Sequence, residues 1–383
     1  MSTQRVRLLL VSKSTGGVAV YIRMLVQHLD RERFDITVAC LSENGAEFAA
    51  ELMAEYGVQA FSLAMNRYKV NPLTDMRVLF QLVSRIRHGR YDLIHAHASK
   101  AGFLTRLAAL GTGVPVIYSP HNFAFHEGSA PWVARAVALL EKFAAAFTAQ
   151  IITVSAHERD LALKYGVGKP SLYSVIPTGV DSALYRQEVD AAELKASLGI
   201  PASARVVGAV GRLAAPKLPQ DFIRIAADLR GTHPDLHFVW AGSGPLMEEA
   251  CEMTHRLELE NEIHWLGHRT DVNLLYRIFD VFLLLSRWEG NPLVILEAFA
   301  AGVPVVASDN LGAHELMADE ECGTLVPIGD VQAAVAAVRH LLDNDSEAKK
   351  LVKFTKEKVD DVYSMKKMMR SIEAVYSEKV MSL

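Results

Sequence analysis

Two carboxylates and two cations in the second half of the chain have the types and spacing to act together on a charged ligand. In "SRWEGNPLVILEAFAAGVPVVASD" (286–309), Glu289 precedes an Asn-Pro pair and Glu297 follows it by eight positions. Asn291 suits an N-cap and Pro292 the first helical position, which predicts a helix over about 292–301. Glu297 then lies about 7.5 Å further along the helix axis, at 1.5 Å per residue. Between the carboxylates, the free N–H groups and partial positive charge of the helix start make a seat for an anion. In "GRLAAPK" (211–217), Arg212 and Lys217 flank a proline with no acid inside the loop to pair with them. A guanidinium fork and an ammonium in one loop suit a diphosphate, although they would equally serve as solvated surface cations.

Other clusters are less specific. Gly16 and Gly17 lie between a strand and a helix, where backbone N–H groups approach an anion or simply make a tight turn. "GSGP" (242–245) begins like a dinucleotide fingerprint, but Met247 stands where a third glycine is needed, which argues against a hydride-transfer cofactor. His95 and His97 alternate on one strand and point the same way, without the carboxylate or cysteine a metal site would add. They read as core-end or cleft-lining histidines. "DND" (343–345) reads as a turn and N-cap cluster, so no metal site is expected. Basic residues do not form a stripe interleaved with aromatics, which argues against nucleic-acid binding.

These loops need a frame. Apolar, β-branched runs at 6–12, 34–40, 91–97, 114–119, 150–155 and 172–177 predict strands, as do runs at 205–210, 236–242, 262–267, 280–286 and 303–308. Amphipathic segments alternate with them, at 18–29, 74–88, 131–147, 219–230 and 245–257. Continuous apolar strands separated by helices predict parallel sheets covered on both faces. The polar stretch "PTGVDSALYRQEVD" (177–190) interrupts the alternation and marks a domain boundary, and the chain ends in helices over about 330–342, 346–358 and 361–380. Two doubly wound, Rossmann-like α/β domains facing across a cleft are expected, because ligands of such sheets bind beyond the carboxyl ends of the strands. "STGG", "HN" (121–122), "GRLAAPK", "GSGP" and "SRWEGNP" all sit at such ends.

Three scattered cysteines fit a reducing compartment rather than a disulfide framework, and no run approaches the length of a membrane span. Charge is uneven. Residues 1–180 carry 19 Lys and Arg against 13 Asp and Glu, net +6, and residues 181–383 carry 21 against 31, net −10. The basic half is expected to meet something anionic. Basic and aromatic residues mix in "NRYKVNP" (66–72) and "RIRHGRY" (85–91). "PWVARAVALLEKFAAAF" (131–147) reads as an interfacial helix or as a buried crossover helix.

The combination resembles the retaining glycosyltransferases of the GT-B fold, family 4, from end to end. "EGNPLVILE" matches that family's E-x7-E motif, "EAFAAGVPVVASD" its next helix and strand, and "GRLAAPK" its phosphate loop. "VIPTGVD" (175–181) and "GHRTDV" (267–272) fit too, with Thr178 in place of the usual Asn and "KLPQ" in place of the commoner Lys-Gly. The resemblance implies a donor-binding set of Gly17, Arg212, Lys217, Gly242, Arg269, Asn291, Pro292, Leu293 and Glu297. Within it, Glu297 would hold ribose hydroxyls, Arg212 and Lys217 the diphosphate, and Arg269 would lie near the nucleobase. Glu289 and His121 would face the transferred sugar, which makes Glu289, His121, Arg212 and Lys217 the implied catalytic group. The implied domains are an acceptor-binding one over 1–178, a nucleotide-sugar-binding one over 179–360, and a helix over 361–383 crossing back to the first. The implied co-substrate is a nucleoside-diphosphate sugar, UDP favoured over GDP, with no cofactor or metal. The acceptor would be a glycan or a polyprenyl-diphosphate-linked glycan in cell-surface polysaccharide synthesis. The place would be the cytoplasm, peripheral on the inner face of the cytoplasmic membrane. A same-fold sugar-nucleotide epimerase or a non-catalytic nucleotide- or glycan-binding module are the alternatives.

Overall fold

The computed structural model of the chain describes residues 5–66, 71–125 and 129–381, so residues 67–70 of the basic-aromatic segment 66–72 lie outside the described residues. It forms two compact units, one of Met1–Pro177 with Met368–Leu383 and the other of Thr178–Lys367.

The first unit runs β1 (Val6–Ser12), α1 (Gly17–His28), β2 (Phe34–Leu41), α2 (Gly45–Tyr56), β3 (Gln59–Leu63) and α3 (Pro72–Gly89). It continues through β4 (Leu93–His97), α4 (Ser99–Ala108), β5 (Val116–Ser119), α5 (Pro131–Ala145), β6 (Gln150–Thr153), α6 (Ala156–Lys164) and β7 (Tyr173–Val175). Its seven strands are ordered β3-β2-β1-β4-β5-β6-β7 and every pairing is parallel. The chain walks outward through β3, then returns to the other side of β1. Helices before and after that return therefore cover opposite faces, and a crevice opens beyond β1 and β4. Leu8, Leu9, Leu10 and Val11 are wholly buried, as a strand covered on both sides must be.

The second unit begins with α7 (Ser182–Tyr185) and α8 (Ala191–Ser197), then β8 (Arg205–Val210), α9 (Pro219–Arg230), β9 (Leu236–Ala241), α10 (Met247–Arg256) and β10 (Ile263–Trp265). After α11 (Val272–Leu275) come β11 (Val281–Leu284), α12 (Leu293–Ala301), β12 (Val305–Ser308), α13 (Leu311–Met317) and β13 (Thr324–Val326). Three helices close the chain: α14 (Val331–Asp343), α15 (Asp345–Asp361) and α16 (Met365–Met381). The order β10-β9-β8-β11-β12-β13 is again parallel throughout, with its return between β8 and β11. The loops "GRLAAPK" and "SRWEGNP" leave the two strands at that return.

From residue 368 the last helix belongs to the first unit, where the Tyr376 hydroxyl lies 2.6 Å from Nδ1 of His95 and Glu373 pairs with Arg33 at 3.2 Å. Two strands escaped the sequence reading, β3 and β13, and both are edge strands. An edge strand is half open to solvent, so "QAFSL" and "TLV" lack the unbroken apolar run of a central one. "DND" does form the turn between α14 and α15. Asn344, however, caps nothing with its side chain, which instead donates to the carbonyl of His340 at 2.8 Å.

Candidate active site

In the second unit, main-chain contacts lace together the loops at the sheet's carboxyl edge. The Leu213 N–H donates to the carbonyl of Ser243 at 3.1 Å, and the Leu246 N–H to that of Leu213 at 3.1 Å. A Cβ on Gly242 would stand 2.0 Å from the carbonyl oxygen of Gly211, and one on Gly244 2.1 Å from that of Leu213. The glycines of "GSGP" thus serve close backbone approach, and the bond from Gly242 N–H to Gly267 at 2.7 Å extends the stack to "GHR". On the other side, the Arg287 N–H donates to Pro216 at 2.8 Å and Asn310 Nδ2 to the carbonyl of Ser286 at 3.1 Å. Gly312, at the start of α13, lies so near the backbone of Glu289 that a Cβ there would meet its carbonyl oxygen at 2.5 Å.

This lacing brings Lys217 to Glu289. The two residues are 72 positions apart, and their side chains form a half-buried ion pair. The acid nearest to Lys217 in sequence, Asp221, pairs with Arg224 at 2.9 Å, and folding brings Glu289 to the lysine instead. Arg212 is exposed on the same loop, and Arg269 makes a paired contact with Asp271 at 2.8 and 2.6 Å.

Glu297 is held differently. Helix α12 starts at Leu293, not Pro292, so Glu297 is its fifth residue. The cap position belongs to Pro292, which makes no side-chain capping bond, and Asn291 lies one place too early to cap. Pro292 itself is extended, at φ −73° and ψ 97°, so the helix starts one residue later than in α3, where Asn71 caps and Pro72 opens the helix. The N–H groups opening α12 thus receive no side chain from their cap residue. The Tyr276 hydroxyl donates to Oε2 of Glu297 at 2.8 Å, and Tyr185 hydrogen-bonds to the same carboxyl. Burial raises the Glu297 pKa, which the two phenols partly offset, and burial beside this acid drives both phenols well above their usual value. Neither tyrosine had a sequence signal: Tyr276 lies 21 positions before Glu297.

The candidates of the first unit are Gly17 and His121. Gly17 opens α1 and is exposed, while Gly16 before it, at φ 69°, makes the left-handed turn that a side chain would strain. His121 and Asn122 both adopt positive φ, 51° and 84°, uncommon for residues with a Cβ. The buried carboxylate of Glu158 holds that turn, accepting from the N–H of Asn122 at 2.5 Å and of Val154 at 3.0 Å. Nε2 of His121 lies 3.0 Å from Nδ1 of His97, and its ring meets Tyr21 edge-on, 4.6 Å between centroids. His95 contacts the Ser119 hydroxyl at 2.9 Å as well as Tyr376. Burial lowers all three imidazoles, His121 to about 3 with help from nearby Lys13. The cluster is therefore neutral. His95 and His97 are buried hydrogen-bonding residues; among the described residues, no group of three or more His, Cys, Asp or Glu is placed to hold a metal ion.

Comparison with known proteins gives the same outline. Residues 190–358 match the family described as glycosyl transferases group 1, and residues 16–179 match the glycosyl transferase 4-like domain. The UDP-Gal:alpha-D-GlcNAc-diphosphoundecaprenol alpha-1,3-galactosyltransferase of Escherichia coli is 30% identical over 362 residues, covering 92% of each chain. A D-inositol 3-phosphate glycosyltransferase of Kineococcus radiotolerans is 29% identical, over 90% of this chain and 88% of that one. Among solved structures, Anabaena HepE in complex with UDP and glucose superposes with a TM-score of 0.84 at 22% identity, over 98% of this chain and all of that one. At that identity the likeness is one of fold.

Proposed function

The chain belongs to the group 1, family 4-type glycosyltransferases and has the GT-B fold, and on that premise we propose that it moves a hexosyl group from a UDP-sugar to a polyprenyl-diphosphate-linked glycan, retaining the anomeric configuration. The observation that carries this reading is the joining of Lys217, Glu289 and the α12 start by main-chain lacing, with Glu297 fixed one turn beyond. Glu297, held by two phenols, receives the ribose hydroxyls. The diphosphate sits at the opening turn of α12, among Asn291, Pro292 and Leu293, with Arg212 and Lys217 over it. Arg269 and Gly242 border the nucleobase end. Glu289 shares Lys217 until the donor arrives, then accepts from hydroxyls of the transferred sugar; Gly17 and His121 keep the donor and sugar contacts that the family resemblance implies for them.

In the reaction, the bond from the anomeric carbon to the β-phosphate oxygen breaks and the acceptor oxygen bonds to that carbon from the same face. The departing phosphate oxygen takes the acceptor's proton, so the protein's main task is to stabilise charge on the leaving diphosphate. Two fixed cations and a helix start do that. The E. coli relative is named for a UDP-galactose donor and a diphosphoundecaprenol acceptor, which supports the donor and acceptor classes proposed. A place on the inner face of the cytoplasmic membrane would give access to both.

The test is incubation with UDP-galactose, UDP-glucose or UDP-N-acetylglucosamine and a short-chain prenyl-diphosphate-linked sugar, followed by mass spectrometry and anomeric coupling constants. Acceptor-dependent UDP release with an α-linked product is expected. Conversion of the nucleotide sugar without acceptor would make the chain an epimerase, and tight UDP binding with no product from any pair would make it a binding module.

A further inference from the structure

Two helices of the first unit, α3 and α5, show large apolar side chains to solvent. Helices α3, α4 and α5 pack in that order, with α4 between the other two. In α5 the buried positions are Ala134, Ala138, Glu141, Ala144 and Ala145, while Trp132 is 75% exposed and Leu139, Leu140 and Phe143 also face solvent. At about 100° per residue, Trp132, Leu139 and Phe143 share one narrow stripe. Helix α3 buries Val78, Leu82 and Ile86 in the core but also carries a solvent-facing apolar stripe, with Leu73 86% exposed and Met76 and Phe80 exposed beside it.

Charge is sorted the other way. The three helices contain two carboxylates, and both turn inward to cations of α4: Asp75 to Lys100 and Glu141 to Arg106, each at 2.7 Å. Arg77, Arg87, Arg135 and Lys142 remain exposed, with no exposed carboxylate on these helices to answer them. Large apolar side chains left in water forgo the free energy of burial, and contiguous exposed groups of this kind mark contact surfaces.

We propose that the outer face of α3 and α5 docks on an anionic lipid bilayer. The aromatic and aliphatic side chains enter the boundary between headgroups and acyl chains, and the four cations meet lipid phosphates. A second copy of the chain fits less well, because a twofold partner would bring the same cations and no carboxylate from these helices. Docking would carry the enzyme to the lipid-linked acceptor proposed above, yet it is read without donor or acceptor and does not depend on the reaction.

The experiment is flotation of the whole protein with phosphatidylcholine vesicles, with and without phosphatidylglycerol, at low and high salt. Binding is expected with phosphatidylglycerol at low salt, weakened by salt and accompanied by a blue shift of Trp132 emission that Trp132→Phe removes. Paired changes Arg135→Glu with Lys142→Glu, or Leu139→Glu with Phe143→Glu, should each weaken it by about tenfold or more. These side chains are exposed, so melting temperature and UDP affinity should stay at wild-type values; Trp132→Ser tests the same face with a milder change. Wild-type protein that ignores anionic vesicles, or variants that bind like wild type, would overturn the proposal. So would a dimer dispersed by Leu139→Glu in protein that binds no vesicle.

Discussion

The two units solve the problem of placing polar groups beyond a parallel sheet in opposite ways. In the first, His95, His97, Tyr21 and Tyr376 are buried, His121 joins them half-buried, and their surroundings lower all three imidazoles. In the second, Lys217, Glu289 and Arg212 are charged and reach solvent, and only Glu297 is deeply covered. A neutral cluster suits uncharged, directional partners such as hydroxyls. A charged, half-open group suits an anion such as a diphosphate.

The greatest blow to that contrast should come at the cations. Lys217→Ala and Arg212→Ala are each expected to lower kcat by about 10²–10³, or about 2.7–4 kcal/mol, with a smaller change in donor Kd. Steady-state kinetics beside UDP calorimetry separates the two effects, and normal turnover in both variants would leave the diphosphate without its proposed clamp. Next come the carboxylates. Glu289→Ala should act mainly on kcat and Glu297→Ala mainly on UDP affinity, since ribose contacts are alike in ground and transition states. UDP binding to Glu297→Ala at wild-type strength would reverse that ordering.

On the neutral side, pH is the probe. His121 titrates near 3 when folded and near 6.5 when unfolded, so the unfolded chain binds more protons between those values. Its stabilising contribution is complete above about pH 6.5 and falls by about 1.4 kcal/mol per pH unit below it. Melting temperature should therefore drop on acidification from pH 7 to 5, and His121→Gln should flatten that slope. An unchanged slope would mean that the cluster does not resist protonation. A milder test is Tyr276→Phe, which removes one phenol from Glu297 and should weaken UDP binding by a factor of a few, about 0.5–1.5 kcal/mol. Smallest of all, EDTA should leave turnover unchanged, because the leaving group has cations of the protein's own; loss restored by manganese would assign part of that task to an ion.

Much of this was legible in the chain, and the failures share a cause. Central strands announce themselves because burial on both faces demands unbroken apolar runs, whereas β3 and β13 lie at sheet edges. Glu289, Glu297, Arg212 and Lys217 stood out because loops leaving adjacent parallel strands gather at one edge. Their partners did not. Tyr185 and Tyr276 reach Glu297, and Glu158 holds the turn at His121, through tertiary contacts that leave no local spacing to read. The cap of α12 is a separate case: the same Asn-Pro pair caps α3 at Asn71, but at Pro292 the backbone stays extended and the helix begins one residue later.

The lacing of the second unit's loops has an evolutionary reading. Gly211, Leu213, Ser243, Gly267, Pro216 and Arg287 are fastened through main-chain amides and carbonyls, and Gly242, Gly244 and Gly312 are needed for having no side chain at all. Such a frame places few demands on the identity of other residues. Side chains at the loops can change, and with them a sugar or acceptor preference, without unfastening the frame that sets Lys217 beside Glu289.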